Sequence, residues 1–186
     1  MRILLHVCCG NCAIYPVKVL REQNHTVTGF FFNHNIHPYQ EFSRRIETTR
    51  EYAARVELPM TYNEEYRVEE FLENVAQNPG SRCEYCYRSR LLATAQEASK
   101  QNFDGFTTTL LYSRYQRHQD IVDYGRQLAA EYGLAFHYED YREGWNEGIR
   151  ISKEMGLYRQ QYCGCIYSEK DRYAPRKKKG QTVPAT

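Results

Sequence analysis

The 186-residue chain has no apolar run approaching the ~20 residues needed to cross a bilayer. Met1 to Val7 is too short for a signal peptide and leads straight into cysteines, so a soluble, intracellular, cytoplasmic protein is expected. No sign of charge predominates: 25 Lys and Arg against 23 Asp and Glu leave +2, too mild to prove a nucleic-acid partner. There is no internal repeat. Neither G-x-G-x-x-G nor G-x-x-x-x-G-K-[ST] occurs, so there is no phosphate-cradling loop and nucleotide binding is not supported.

What is present is sulfur and tyrosine. Seven cysteines in a chain expected to live among reduced thiols read as metal ligands or catalytic groups rather than disulfides, and an odd count argues against full pairing. Seventeen tyrosines could stack bases or simply pack. With 41% hydrophobic residues the length fits one buried core, a single α/β catalytic domain over residues 1–173. Residues 174–186 read as a basic, flexible tail, in which Arg176, Lys177, Lys178 and Lys179 either meet phosphates or stay solvated.

Strand formers from Arg2 to Val7 end at Cys8-Cys9-Gly10, and Ala13 to Gln23 follows at helical spacing. The alternation continues: a strand over His25–Phe32, a helix opened by Pro38 and running to about Val56, a short strand over Leu58–Tyr62, and a helix over Val68–Ala76. Arg82–Lys100 reads as a longer helix broken at its start by cysteines, Phe103–Leu111 as the fourth strand, His118–Tyr132 as a helix stopped by Gly133, and Leu134–Tyr138 as the fifth strand. Trp145–Met155 is the last expected helix. Such an order predicts a mostly parallel sheet with helices on both faces, with ligands beyond the carboxyl ends of the strands. Cys8, Cys9 and Cys12, then Asn33 to His37, Ser113 to His118 and Asp140 to Trp145 all fall at such ends.

The cysteines form three clusters: Cys8, Cys9 and Cys12; Cys83 and Cys86 as C-x-x-C; Cys163 and Cys165 as C-x-C. About four thiolates hold a tetranuclear iron-sulfur cluster, and short spacings let one turn present two sulfurs to one centre. Seven exceed one cluster, leaving sulfurs for a second metal, a redox pair or packing. Two short-spaced pairs could instead close a structural zinc site, and Cys83/Cys86 alone could be a thioredoxin-like dithiol.

Six strings, in order, resemble the QueH-type epoxyqueuosine reductases: Leu4–Cys12, Phe32–Pro38, Arg82–Arg88, Thr107–Leu110, Asp140–Arg142 and Tyr158–Cys165. The likeness runs from about Arg2 to Ser168. It implies removal of the epoxide oxygen from epoxyqueuosine in tRNA to give queuosine, a [4Fe-4S] cluster without cobalamin, and a second, mononuclear iron. The expected architecture is a three-layer sandwich of the HUP/PP-loop-like type. Expected partners are the tRNA anticodon region as substrate and an electron donor that the sequence does not identify. A tRNA thiolation enzyme and a zinc-stabilised RNA-binding module are the rival readings.

On that reading all seven cysteines are metal-site candidates, with Cys8, Cys9, Cys83, Cys86, Cys163 and Cys165 assigned to the cofactor. Asp140 is the carboxylate expected at the second ion, since a hard oxygen suits an iron that must bind oxygen, and a loop aspartate is the plainer alternative. His37 is a proton-donor candidate or a turn residue. Asn33, Tyr115, His118, Arg159 and Gln160 are the substrate-binding candidates, and Tyr158 and Tyr162 possible platforms for splayed bases.

Overall fold

The computed structural model describes residues 1–175, so the basic run Arg176–Lys179 lies outside the described residues. Five parallel strands form one sheet in the order β3-β2-β1-β4-β5: β1 Arg2–His6, β2 Thr26–Phe31, β3 Met60–Tyr62, β4 Gly105–Thr108 and β5 Ala135–Phe136. The helices are α1 Gly10–Glu22, α2 Tyr39–Arg55, α3 Val68–Val75, α4 Arg82–Lys100, α5 His118–Tyr132, α6 Trp145–Glu154 and α7 Ile166–Tyr173. α1 packs with α2 and α6, and α4 with α3 and α5, giving the expected layers on either side of the sheet.

The central strand shows why two covers are required. Ile3, Leu5 and Val7 pack with Val17, Leu20 and Tyr52 in one cluster, while Leu4 packs with Leu91, Ala95 and Phe106 in another. Alternate side chains of an extended strand point to opposite faces, so a strand with the unbroken apolar run Ile3-Leu4-Leu5 demands a helix layer on each. The order also contains a reversal. From β1 the chain winds outward through β2 and β3, then returns to β4 on the other side of β1. The loops after β1 and β4 therefore separate to opposite faces and leave a crevice at their carboxyl ends.

Several boundaries differ from the expectation. α1 begins at Gly10, so Cys12 lies in its first turn rather than in a loop, with Cys9 as the N-cap. Gly10 is required there by close approach: a Cβ would stand 2.7 Å from the backbone carbonyl oxygen of Thr48 on α2. α4 is continuous from Arg82, not broken by its cysteines, because residues at i and i+3 already share one helix face. The chain leaves β4 after Thr108 into a 3-10 turn, Thr109–Tyr112, where Thr108 Oγ1 accepts the Leu110 N–H. Trp145–Met155 is not the last helix. α7 follows, with Ile166 as its one aliphatic residue and none of its residues buried, which is why no apolar period announces it.

Replacing Gly10 by Ala is expected to cost about 1–3 kcal/mol, because the new methyl group meets backbone rather than a movable side chain. Urea denaturation of the variant against the parent measures it; an unchanged midpoint would contradict the close packing of α1 on α2.

Candidate metal centre

β1 and the N-cap geometry of α1 deliver three sulfurs to one point. Cys8 and Cys9 Sγ lie 3.9 Å apart and Cys9 and Cys12 Sγ 2.8 Å apart. All three lie within 4.8 Å of one another, and among the described residues no other group of three or more His, Cys, Asp or Glu ligand atoms is so close. The triad could hold a metal ion. It is also surrounded by hydrogen-bond donors: Thr109 Oγ1 donates to Cys8 Sγ (3.3 Å), and Gln160 Nε2 donates to Cys9 (3.0 Å) and Cys12 (3.3 Å). Hydrogen bonds from Cys12, Cys9 and Thr109 hold the Cys8 thiol well below the ordinary range, while burial pushes Cys9 up.

The other four cysteines meet from two directions. α4 presents Cys83 and Cys86 on its opening turns, and the segment before α7 presents Cys163 and Cys165. Burial raises both α4 thiols, Cys86 to about 12, and the neighbouring Cys163 and Cys165 raise each further. Cys86 Sγ accepts from Arg90 (2.9 Å) and Cys163 Sγ from Gln116 Nε2 (3.2 Å), whose Oε1 takes the Tyr87 hydroxyl (2.7 Å). Cys163 is exposed, Cys83 half-buried, and Cys86 and Cys165 are buried. None of the seven is in a disulfide.

The segment carrying Cys163 and Cys165 reaches the crevice because α2 and the loop before it hold it there. Arg45, fully buried, pairs through Nε with Glu41 (2.7 Å) and donates to the carbonyls of Cys163 (2.8 Å) and Tyr162 (2.9 Å). Glu41 also takes the Tyr158 hydroxyl at 2.5 Å. Gly164, at φ +147°, passes close to Asn35, Ile36 and Arg45. Asn11, anchored by the Ser152 hydroxyl (2.7 Å), donates to the Tyr158 carbonyl (2.6 Å) and to Gln160 Oε1 (3.1 Å), aiming the Gln160 N–H groups at the sulfurs.

The candidates taken from the sequence are placed unequally. Gln160 stands on the triad, while Asn33 bridges the Val7 carbonyl (2.9 Å) and Arg90 (3.5 Å) beneath it. His37 is buried with both ring nitrogens spent inside the protein: Nδ1 accepts from Ile166 N (3.3 Å) and Nε2 donates to the His34 carbonyl (3.2 Å). Asp140 is outside the triad. Its carboxylate caps the 3-10 turn Tyr141–Gly144 and pairs with Arg142 at 2.6 and 2.7 Å, which holds its pKa below the usual range. His118 stacks edge-on with Tyr138, and Tyr115 is 84% exposed with its ring against Trp145. Arg159 sits partly buried beside Gln160, its charge felt by Tyr112. Tyr158 and Tyr162 share an open groove of about 450 Å³ with Arg44 and Tyr173. Sequence reasoning missed Arg90, Gln116, Thr109, Asn11 and Arg45. Arg90 carried a signal, being one helical turn from Cys86, and Asn11 and Thr109 fall inside the strings Leu4–Cys12 and Thr107–Leu110.

Fold and site together define a doubly wound α/β protein that collects its thiols at the strand ends, where nucleotide-binding members of such folds keep a phosphate loop. No helix among the described residues is long and apolar enough to cross a membrane. Among solved structures, the chain is similar in fold to a predicted subunit of tRNA methyltransferase from Methanocaldococcus jannaschii, with a TM-score of 0.55 at 13% identity, covering 82% of this chain and 75% of that one. The family model described as "Epoxyqueuosine reductase QueH" matches residues 3–171. Relatives bearing that name include one from Dehalococcoides mccartyi, 38% identical over 92% of this chain and 94% of its own, and one from Thermotoga maritima, 36% identical over 89% of each. The chain belongs to the epoxyqueuosine reductase QueH family, and is thereby an oxidoreductase.

Two outcomes follow from this geometry. Gln160→Leu is expected to weaken metal binding about 10- to 100-fold in a chelator competition, as loss of an outer hydrogen bond to a ligand does elsewhere. Burial lowers His34 to about 3 and His37 to about 4, so unfolding takes up protons at both below their ordinary value of 6.5. Stability is therefore full above about pH 6.5 and falls as pH drops toward 4, by up to about 1.4 kcal/mol per unit for each histidine. Denaturation midpoints flat from pH 7 to pH 4.5 would contradict that burial.

Proposed function

We propose that the chain removes the epoxide oxygen of epoxyqueuosine in tRNA to give queuosine, with a [4Fe-4S] cluster on Cys83, Cys86, Cys163 and Cys165 and a single iron on Cys8, Cys9 and Cys12. The observation that carries this reading is the division of seven unpaired thiols into a tight triad and a wider group of four. A tetrahedral ion with bonds of about 2.3 Å holds its sulfurs roughly 3.8 Å apart. Cys8 and Cys9 already meet that spacing, and Cys9 and Cys12 need to open by about 1 Å to meet it. A cluster takes each sulfur on a different iron, which suits the four that stand farther apart. The donor set fits both groups: the hydrogen bonds to sulfur are those that stabilise bound thiolate.

The reaction breaks both epoxide C–O bonds, leaves a cyclopentene double bond, consumes two electrons and two protons, and releases water. The bound metals would supply the electrons and a Lewis acid for the oxygen. The chain's own residues bind and orient. Gln160, held by Asn11, fixes the triad's sulfurs, and Arg45 and His37 keep the segment from Tyr158 to Cys165 against the crevice. Asp140, paired with Arg142, and His118 shape its rim. Tyr115 against Trp145 offers an exposed stacking face, and the groove of Tyr158, Tyr162, Tyr173 and Arg44 takes an unstacked anticodon nucleotide with its phosphate.

Protein purified without oxygen is expected to contain about four sulfides and four to five irons per chain, and to convert epoxyqueuosine-bearing tRNA only with a reductant. Cys163→Ser is expected to abolish turnover and most of the sulfide while leaving the far-ultraviolet circular dichroism unchanged. Zinc without sulfide, persisting after attempted reconstitution, would replace this reading with a zinc-stabilised RNA-binding module.

A further inference from the structure

Two arginines are fully buried among the described residues, and they are neutralised differently. Arg45 has a carboxylate, Glu41, at 2.7 Å. Arg90, on α4, has none: among the described residues its partners are the Cys86 carbonyl (3.0 Å), the Cys86 sulfur (2.9 Å) and the Asn33 side-chain oxygen (3.5 Å). It is 2% exposed. A guanidinium is always charged, and a buried charge without a counter-charge is among the most unfavourable features a core can contain.

The nearest group able to carry a negative charge is sulfur: Cys86 Sγ accepts from the guanidinium at 2.9 Å. Burial opposes the charge on Arg90, and Cys86, Cys163 and Cys8, in that order, support it. Those three cysteines belong to both sulfur groups: Cys86 and Cys163 to the four, Cys8 to the triad. The guanidinium therefore lies within electrostatic reach of each group. Its position is fixed from below by Asn33, which hangs from the Val7 carbonyl at the end of the central strand.

We infer that Arg90 is the built-in counter-cation of the sulfur centre, placed so that the site is complete only when it carries net negative charge. Arg90 is a positioning residue; it touches a ligand sulfur, not the substrate. With metal-bound thiolates present, its charge is balanced and its donors are satisfied. It also makes the centre easier to reduce, since a fixed positive charge favours the state with the extra electron. The inference rests on the proposal that these cysteines bind metal. It adds that the protein is tuned for an anionic assembly there.

The test compares Arg90→Gln and Arg90→Lys with the parent, each purified without oxygen and measured both metal-loaded and metal-free. In the loaded state Arg90→Gln is expected to show a more negative midpoint in a paramagnetic-resonance redox titration, and to lose iron to a chelator roughly 10- to 100-fold more readily. Arg90→Lys, which keeps the charge but not the fork, is expected to stay near the parent midpoint. In the metal-free state the Gln variant is expected to melt at or above the parent temperature, because the unbalanced charge has been removed; a merely structural arginine would lower both forms. Equal midpoints and equal iron retention in parent and Arg90→Gln would overturn the inference, and so would a Gln variant unfolded with and without metal. A parent protein that binds no metal would instead remove the functional reading beneath it.

Discussion

The ion pair between Arg45 and Glu41 is the contact on which the sulfur centre depends. It is internal to α2, yet its work is at a distance: the guanidinium holds two carbonyls of the segment that carries Cys163 and Cys165, and the carboxylate holds the tyrosine that begins it. Burying two ions costs several kcal/mol each unless every donor finds an acceptor. Here the pair is closed by backbone oxygens that only the correctly folded-back segment supplies. Specificity for one path of the chain is gained where hydrophobic packing alone would leave that segment, polar and rich in tyrosine, free to lie elsewhere.

Polar burial is concentrated around the same crevice. His6, Asn33, His34, Asn35, His37, Arg90, Thr107, Thr108 and Thr109 are all nearly inaccessible and all lie in or beside the carboxyl edge of the sheet. His6 shows how such a group is tolerated. It bridges Thr108 Oγ1 (2.9 Å) and the Phe32 carbonyl (3.1 Å), and burial lowers its pKa to about 4, so it stays neutral. The core below this layer is apolar, and within the layer Asn33, Arg90 and Thr109 bond toward the sulfurs while His34 Nδ1, Asn35 Oδ1 and Thr107 Oγ1 have no partner among the described residues.

The fold was readable because its elements obey short periods: a strand with an unbroken apolar run needs two covers, and helices such as α5 carry both an apolar stripe and a terminal Gly133 in the left-handed region. α7 was not readable, since its N-cap is Cys165, whose sulfur takes the Ser168 N–H at 3.4 Å in place of the usual hydroxyl or carboxylate oxygen. Cysteine spacing marked the metal-ligand candidates but not their grouping, which depends on a contact between α4 and a segment some eighty residues later in the sequence. Asp140 and His37 illustrate the limit. Residue type made them chemical candidates, and only their neighbours show one carboxylate paired to Arg142 and one imidazole enclosed by backbone.

Cys163 stands apart as the exposed cysteine of the seven. A thiol at that corner gives the interior centre a contact with bulk solvent that requires no opening of the sheet or its helix layers. On the proposed function, an electron donor would need only to touch the surface there. The same corner is where a dissolved oxidant first meets a thiol, so the exposure that opens the site to a surface partner also opens it to air.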